Sequence, residues 1–187
     1  MADPLHQMTA LGHTEPRVID IGPYRITERF DVALASVATR RGRDADVATA
    51  AKASNVPLPM PAHAVVGVPF GAFWLAPDMW MVEAPYDSHG DIVAHLNPIF
   101  GDSASITEQT DAWVRFDLSG QTLVALFERL SNLDLAALPD GYASRTVIEH
   151  LGCYLIRHGA GDITLYGPRS SAGSLLHTLE VTTQSVI

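Results

Sequence analysis

Cysteine, lysine and charge are all scarce in this chain, and each shortage narrows what it can be. A single cysteine, Cys153, among 187 residues excludes an intrachain disulfide. Its apolar setting fits a buried thiol in a reducing compartment, so a cytoplasmic location is expected. Lys52 is the sole lysine, and 12 basic against 21 acidic residues give a formal charge of −9. Nucleic acids and anionic membranes are held by clustered Lys and Arg. The densest basic run, Arg40, Arg41 and Arg43, is followed at once by Asp44 and Asp46, the pattern of a solvated turn. Neither nucleic acid nor membrane is therefore an expected partner. Residues 1–15 contain no continuous apolar stretch, so this segment is expected to be neither a signal peptide nor a membrane span. It is read as a flexible arm preceding a domain over residues 16–187.

Phosphate cradles are missing too. No G-x-G-x-x-G is present, and Lys52 has neither a glycine-rich loop before it nor Ser or Thr after it, so dinucleotide and P-loop sites are not expected.

What is present is core-forming: 47% hydrophobic residues with only 18% charged suffice for one domain or two small fused lobes, divided near residue 100. Val18 to Ile26 suggests extended chain turning at Gly22 and Pro23. Residues 31–41 suit helix by their alanines and strand by Val32, Leu34, Val37 and Thr39, and strand is the choice. Asp44 is expected to cap a helix ending before Asn55 and Pro57. A Pro57, Pro59, Pro61 connector follows, then a hairpin over 71–85 turning at Pro77 and Asp78. Ser88 is a candidate cap for a helix to Phe100. Strands are expected over 103–108 and 111–118, and a helix from Gly120 to Leu130. Further strands fall over 144–148, 151–157 and 163–166, before a last helix from Ser170 or Ser171 to about Val181. Adjacent strands mixed with helices favour an α+β fold with largely antiparallel sheets.

Candidate chemistry is thin. Gly167 to Gly173 invites comparison with a nucleophile elbow, but Arg169 occupies the place of the required glycine before Ser171. The serines are expected to cap the last helix, and with Arg169 they make an anion- or partner-receptive helix start, so Arg169, Ser170 and Ser171 form the one candidate contact site. Asp87, His89, Asp91 and His95 are close in sequence but fall short of converging metal ligands. Glu149 and His150 are read as strand neighbours on opposite faces, hence not a pair. Asp111, Asp117 and Asp134 form paired carboxylates only if the fold gathers them. Trp74, Trp80 and Trp113 sit in apolar runs suited to core packing or interface anchoring. No catalytic, cofactor-binding or metal-binding residue is assigned.

Taken in order, Ala33 to Ala38 with Arg40, Arg41 and Gly42, the prolines from Pro57 to Pro61, and Trp74-Leu-Ala-Pro-Asp-Met-Trp80 resemble the front half of sarcosine oxidase gamma subunits. Thr107 to Trp113, Leu130 to Leu135, Gly141 to Thr146 and Pro168-Arg-Ser-Ser-Ala-Gly-Ser-Leu175 resemble the back half. Ala76 stands where glycine is commoner in that family. The resemblance implies the α+β fold of the folate-binding aminomethyltransferases. It also implies an accessory, non-catalytic role beside alpha, beta and delta subunits, in a heterotetramer that converts sarcosine to glycine with hydrogen peroxide and formaldehyde or methylenetetrahydrofolate. FAD, FMN, NAD, zinc and tetrahydrofolate would then belong to the other subunits. The resemblance extends to a subunit of N-methylglutamate dehydrogenase, and the shared fold to a free-standing folate-binding protein.

Overall fold

A computed structural model describes residues 8–187. Its eleven strands form two antiparallel sheets laid face to face. The larger contains β1 (Val18–Ile21), β2 (Tyr24–Arg29), β8 (Trp113–Ser119), β9 (Tyr142–Ile148), β10 (Leu151–Gly159) and β11 (Asp162–Pro168), in the spatial order β1-β2-β8-β11-β10-β9. The smaller contains β3 (Val32–Thr39), β4 (Ala64–Val65), β5 (Gly71–Ala76), β6 (Met79–Pro85) and β7 (Ala104–Glu108), in the order β4-β5-β6-β3-β7. Because β2 pairs with β8, the larger sheet takes strands from both ends of the chain. The smaller sheet is inserted between them, so a cut near residue 100 does not separate two lobes.

The period-two geometry of strands sorts the side chains into layers. On β8, Val114, Phe116 and Leu118 face an outer core, which α4 (Val124–Leu130) and α5 (Ala172–Gln184) close with Leu123, Leu126, Phe127, Leu175 and Leu179. On the smaller sheet, Ala33, Ala35, Val37, Val82 and Ala84 face a second outer core, closed by α1 (Asp44–Ala53) and α3 (Ile92–Phe100). The inner faces meet through Leu34, Phe73, Met81, Ala143, Ile156 and Tyr166. Since β3 is covered on both faces, it reads as a continuous apolar run without alternation, which is why its sequence also suited a helix.

Several local expectations change. The α1 cap position is Arg43, which makes no side-chain cap, and Asp44 lies in the first turn. The run from Ser88 to Phe100 is two helices: α2 (Tyr86–His89) precedes α3, whose cap is Asp91, accepting from the Ala94 amide at 3.0 Å. Helix α4 begins at Val124 and not at Gly120. Glu149 and His150 are the two left-handed residues, φ 47° and 69°, of the β9–β10 hairpin turn, so they are not strand residues on opposite faces. No helix among the described residues is long and apolar enough to cross a membrane.

Of the expected N-terminal arm, residues 1–7 lie outside the described residues. Residues 9–13 close a turn, with the Thr9 amide on the His13 carbonyl at 2.8 Å. This turn is tied down by Glu28, 1% exposed, whose carboxylate accepts the Leu11 and Arg17 amides at 3.1 Å each. Replacing Glu28 with alanine strands two amides and is expected to cost about 1–3 kcal/mol. Urea unfolding checks this, and rapid amide exchange at Leu11 and Arg17 should accompany the loss.

Candidate functional site

The inner faces carry more than apolar side chains. Glu83 on β6, Arg115 and Asp117 on β8, and Thr164 and Tyr166 on β11 all fall on the side that meets the other sheet, by the same alternation that puts Val114, Phe116, Ile163 and Leu165 on the outer side. Arg115 is the hub. Its Nε donates to Asp117 Oδ1 at 2.8 Å, and one terminal nitrogen donates to Asp117 Oδ2 at 3.2 Å, giving a two-pronged pair. The other terminal nitrogen reaches Glu83 Oε2 at 3.5 Å and the Tyr166 hydroxyl at 3.4 Å. The Tyr166 hydroxyl donates to Glu83 Oε2 at 2.6 Å, and Thr164 Oγ1 donates to Asp117 Oδ1 at 2.8 Å. Since Thr164 spends its one proton on Asp117, His158 Nε2, 3.0 Å from Thr164 Oγ1, is the donor of that contact.

Arg115 lies directly across from Arg29 in the β2–β8 register, and two like charges so placed repel. The repulsion is relieved because Arg29 is shared between Asp31, at 2.8 and 2.6 Å, and Asp117, at 3.2 Å. Two guanidinium groups thus face three carboxylates. Burial alone would lower the Arg115 pKa, but the negative charges of Tyr166 when ionised, Asp117 and Glu83 outweigh it and hold the guanidinium charged. Burial, then the neighbouring Glu83 charge, pushes Tyr166 well above an ordinary phenol.

Arg29, Arg115 and Tyr166 of this network line a cleft of about 590 Å³, whose walls also include Phe30, Tyr86, Trp113 and Arg169. A smaller recess of about 190 Å³ opens beside Arg29, Glu83 and Arg115, next to the loop carrying Val68. The arginines of the cleft are committed to carboxylates of the same chain, so the arrangement binds the sheets together more readily than it binds an anion.

Arg169 lies in a 3-10 turn (Arg169–Ser171) ahead of α5. Its guanidinium donates to the Met8 carbonyl at 2.9 Å and stands 3.7 Å from Asp111, so it is engaged within the chain. Ser171 occupies the α5 cap position without a side-chain capping bond, contrary to the capping role expected of it. The three carboxylates are dispersed: Asp117 joins the network, Asp111 meets Arg169, and Asp134 accepts the Ala137 amide at 3.3 Å. His89 and His95 lie tilted against each other at 4.4 Å between ring centroids, with His89 and Phe70 also in edge contact. Among the described residues no three metal-ligating groups converge. The indole nitrogens of Trp80 and Trp113 bond Pro59 and Gln109 within the chain. Sequence reading missed Glu83, Arg115 and Tyr166; the available signal was an acid, Glu83, in the otherwise apolar strand Met79–Pro85.

Burial makes a pH prediction. Cys153 is fully buried, and desolvation pushes its thiol up to about 11 from 9.0. Between those values the unfolded chain releases a proton that the folded chain keeps, so stability falls as pH rises from 9. Two pKa units correspond to about 2–3 kcal/mol, and Tyr166 extends the loss above pH 10 in the same direction. Guanidinium unfolding at stepped pH should show the decline, and Cys153→Ala should flatten its first part. An unchanged slope in that variant would contradict the assignment.

No family model matches the sequence, and no curated protein matches it. Solved structures do match the fold. One chain of the heterotetrameric sarcosine oxidase from Corynebacterium sp. U-96 superposes with a TM-score of 0.75 at 19% identity, covering 89% of this chain and 87% of that one. The glycine cleavage system aminomethyltransferase T from Bartonella henselae superposes with a TM-score of 0.58 at 14% identity, covering 81% of this chain but 44% of that one. The α+β architecture expected from the sequence is thus the one these two structures share.

Proposed function

We propose that this chain is a non-catalytic, gamma-type accessory subunit of a heterotetrameric, flavin-dependent sarcosine oxidase. The observation that carries this reading is the near-complete mutual coverage with one chain of such an oxidase, at similar chain length. The aminomethyltransferase is matched over less than half its length. The site supports the same reading: its charged groups neutralise one another across the sheet interface, as a scaffold requires. In this role the chain positions larger subunits and helps enclose a reactive one-carbon product. Those subunits, alpha, beta and delta, would carry FAD, FMN, NAD, zinc and tetrahydrofolate, and the assembly would oxidise sarcosine to glycine.

Affinity purification of the tagged chain from its own cells, with mass spectrometry of the eluate, tests this. Two larger chains and one small one are expected with it; a solitary chain would remove the reading. The cleft of about 590 Å³ and the aminomethyltransferase likeness favour one second reading, a free-standing folate-binding protein. Titration calorimetry of the isolated chain with tetrahydrofolate decides it, since a flat response discards it.

A further inference from the structure

We infer that the open edge of β9 receives an extended, acidic segment of a partner subunit, which adds a short strand to the larger sheet. This rests on the accessory-subunit reading and names where one partner binds.

The edge is defined by hydrogen bonds. On β9 the Ala143 amide donates to the Ala62 carbonyl at 2.9 Å, and the Gly141 carbonyl accepts the Ala64 amide at 2.8 Å. The Gly141 carbonyl and the Ala143 amide therefore point outward, and by strand alternation from Ala143 so do the backbone groups of Arg145 and Val147. The segment that covers the edge ends there. Ala62 is left-handed, φ 61°, and Pro61 before it has no amide to donate. Among the described residues, the Arg145 amide and both backbone groups of Val147 have no partner, while the Arg145 carbonyl accepts only Ser144 Oγ at 3.1 Å. A groove of about 730 Å³ runs along this edge. It is lined by Arg145 and Val147 from one face of β9, Thr146 from the other, Gly152 of β10, and residues 129–132.

The charges select the occupant. Among the described residues, Arg41, Arg129 and Arg145 are the arginines without a carboxylate within 4.0 Å. Two of these flank the groove, in a chain whose net charge is −9. Val147, 59% exposed, supplies an apolar contact between them. The other long edges are protected differently: β1 carries the Asp20–Arg25 pair, and Arg40 bonds Ser105 on β7. A second copy of this chain is a poor occupant, because edge-to-edge pairing would bring Arg129 and Arg145 of both copies to one seam. An extended partner segment with acidic side chains over the arginines satisfies the backbone groups and the charges together.

The test uses the purified complex. Val147→Pro removes the outward amide while keeping the bonds to β10, since proline is tolerated where the missing donor faces outward. Arg129→Glu with Arg145→Glu reverses the groove's charge and leaves β9 otherwise intact. Both variants are expected to keep the wild-type melting temperature as isolated chains and to lose at least about tenfold in recovery of one partner. The Val147 amide should exchange more slowly in the wild-type complex than in the isolated chain. Equal partner recovery from both folded variants, or a Val147 amide that exchanges alike in both states, overturns the edge assignment and leaves the subunit reading standing. A wild-type chain that purifies alone or as a β9-paired dimer overturns both.

Discussion

Arg115→Ala is expected to unfold the protein at markedly lower denaturant, a loss of about 3–5 kcal/mol. The guanidinium is 17% exposed and forms ion pairs with Asp117 and Glu83. Removing it leaves two carboxylates 23% and 21% exposed, with Asp117 keeping Arg29 and Thr164 but Glu83 keeping only Tyr166. The large cost comes from stranded charge, not from the intrinsic strength of the pair. Removing the charge on both sides should therefore cost less: Arg115→Met combined with Glu83→Gln is expected to recover part of the loss. Urea midpoints for the single and double variants check this, and additive losses would show that the two groups do not interact.

Phe73→Ala is expected to cost about 3–5 kcal/mol and, beyond that, to loosen one sheet from the other. Phe73 is 1% exposed, stacks on Tyr166 at 5.3 Å between centroids, and tilts against Tyr154 at 5.6 Å. The apolar contact between the sheets is small, with six fully buried members, whereas each outer core is closed by its own helices. Loss of one aromatic ring should therefore act mainly on the interface. Amide exchange is expected to quicken first in β5 and β6 while β10 and β11 stay protected. Uniform loss across both sheets would mean that the molecule opens as one unit.

How much of this was legible depends on the range of the interaction. The hairpin from Gly71 to Pro85 and the stripe Leu123, Leu126, Phe127, Leu130 are local patterns, and both appear where periodicity put them. Start positions slipped where a nearby polar residue competed: Asp91, not Ser88, caps the helix to Phe100. The Glu149–His150 turn was hidden because it lacks the Asn-Gly, Asp-Gly or Gly-Gly pair usual in a two-residue hairpin turn. The network escaped for a different reason. Glu83 and Tyr166 are 83 positions apart, and Arg115 and Asp117 alternate with apolar residues as on any solvated strand face. Only the stacking of the second sheet on that face turns them into a buried cluster. The open edge of β9 is likewise a property of pairing, set by where the segment at Ala62 turns away.

The proposed accessory role is tested most directly by sarcosine-dependent peroxide formation in the affinity-purified eluate, read with its absorption spectrum. A flavin spectrum, peroxide formation on adding sarcosine, and neither property in the chain expressed alone are predicted. A colourless eluate that contains this chain by itself and forms no peroxide would contradict it.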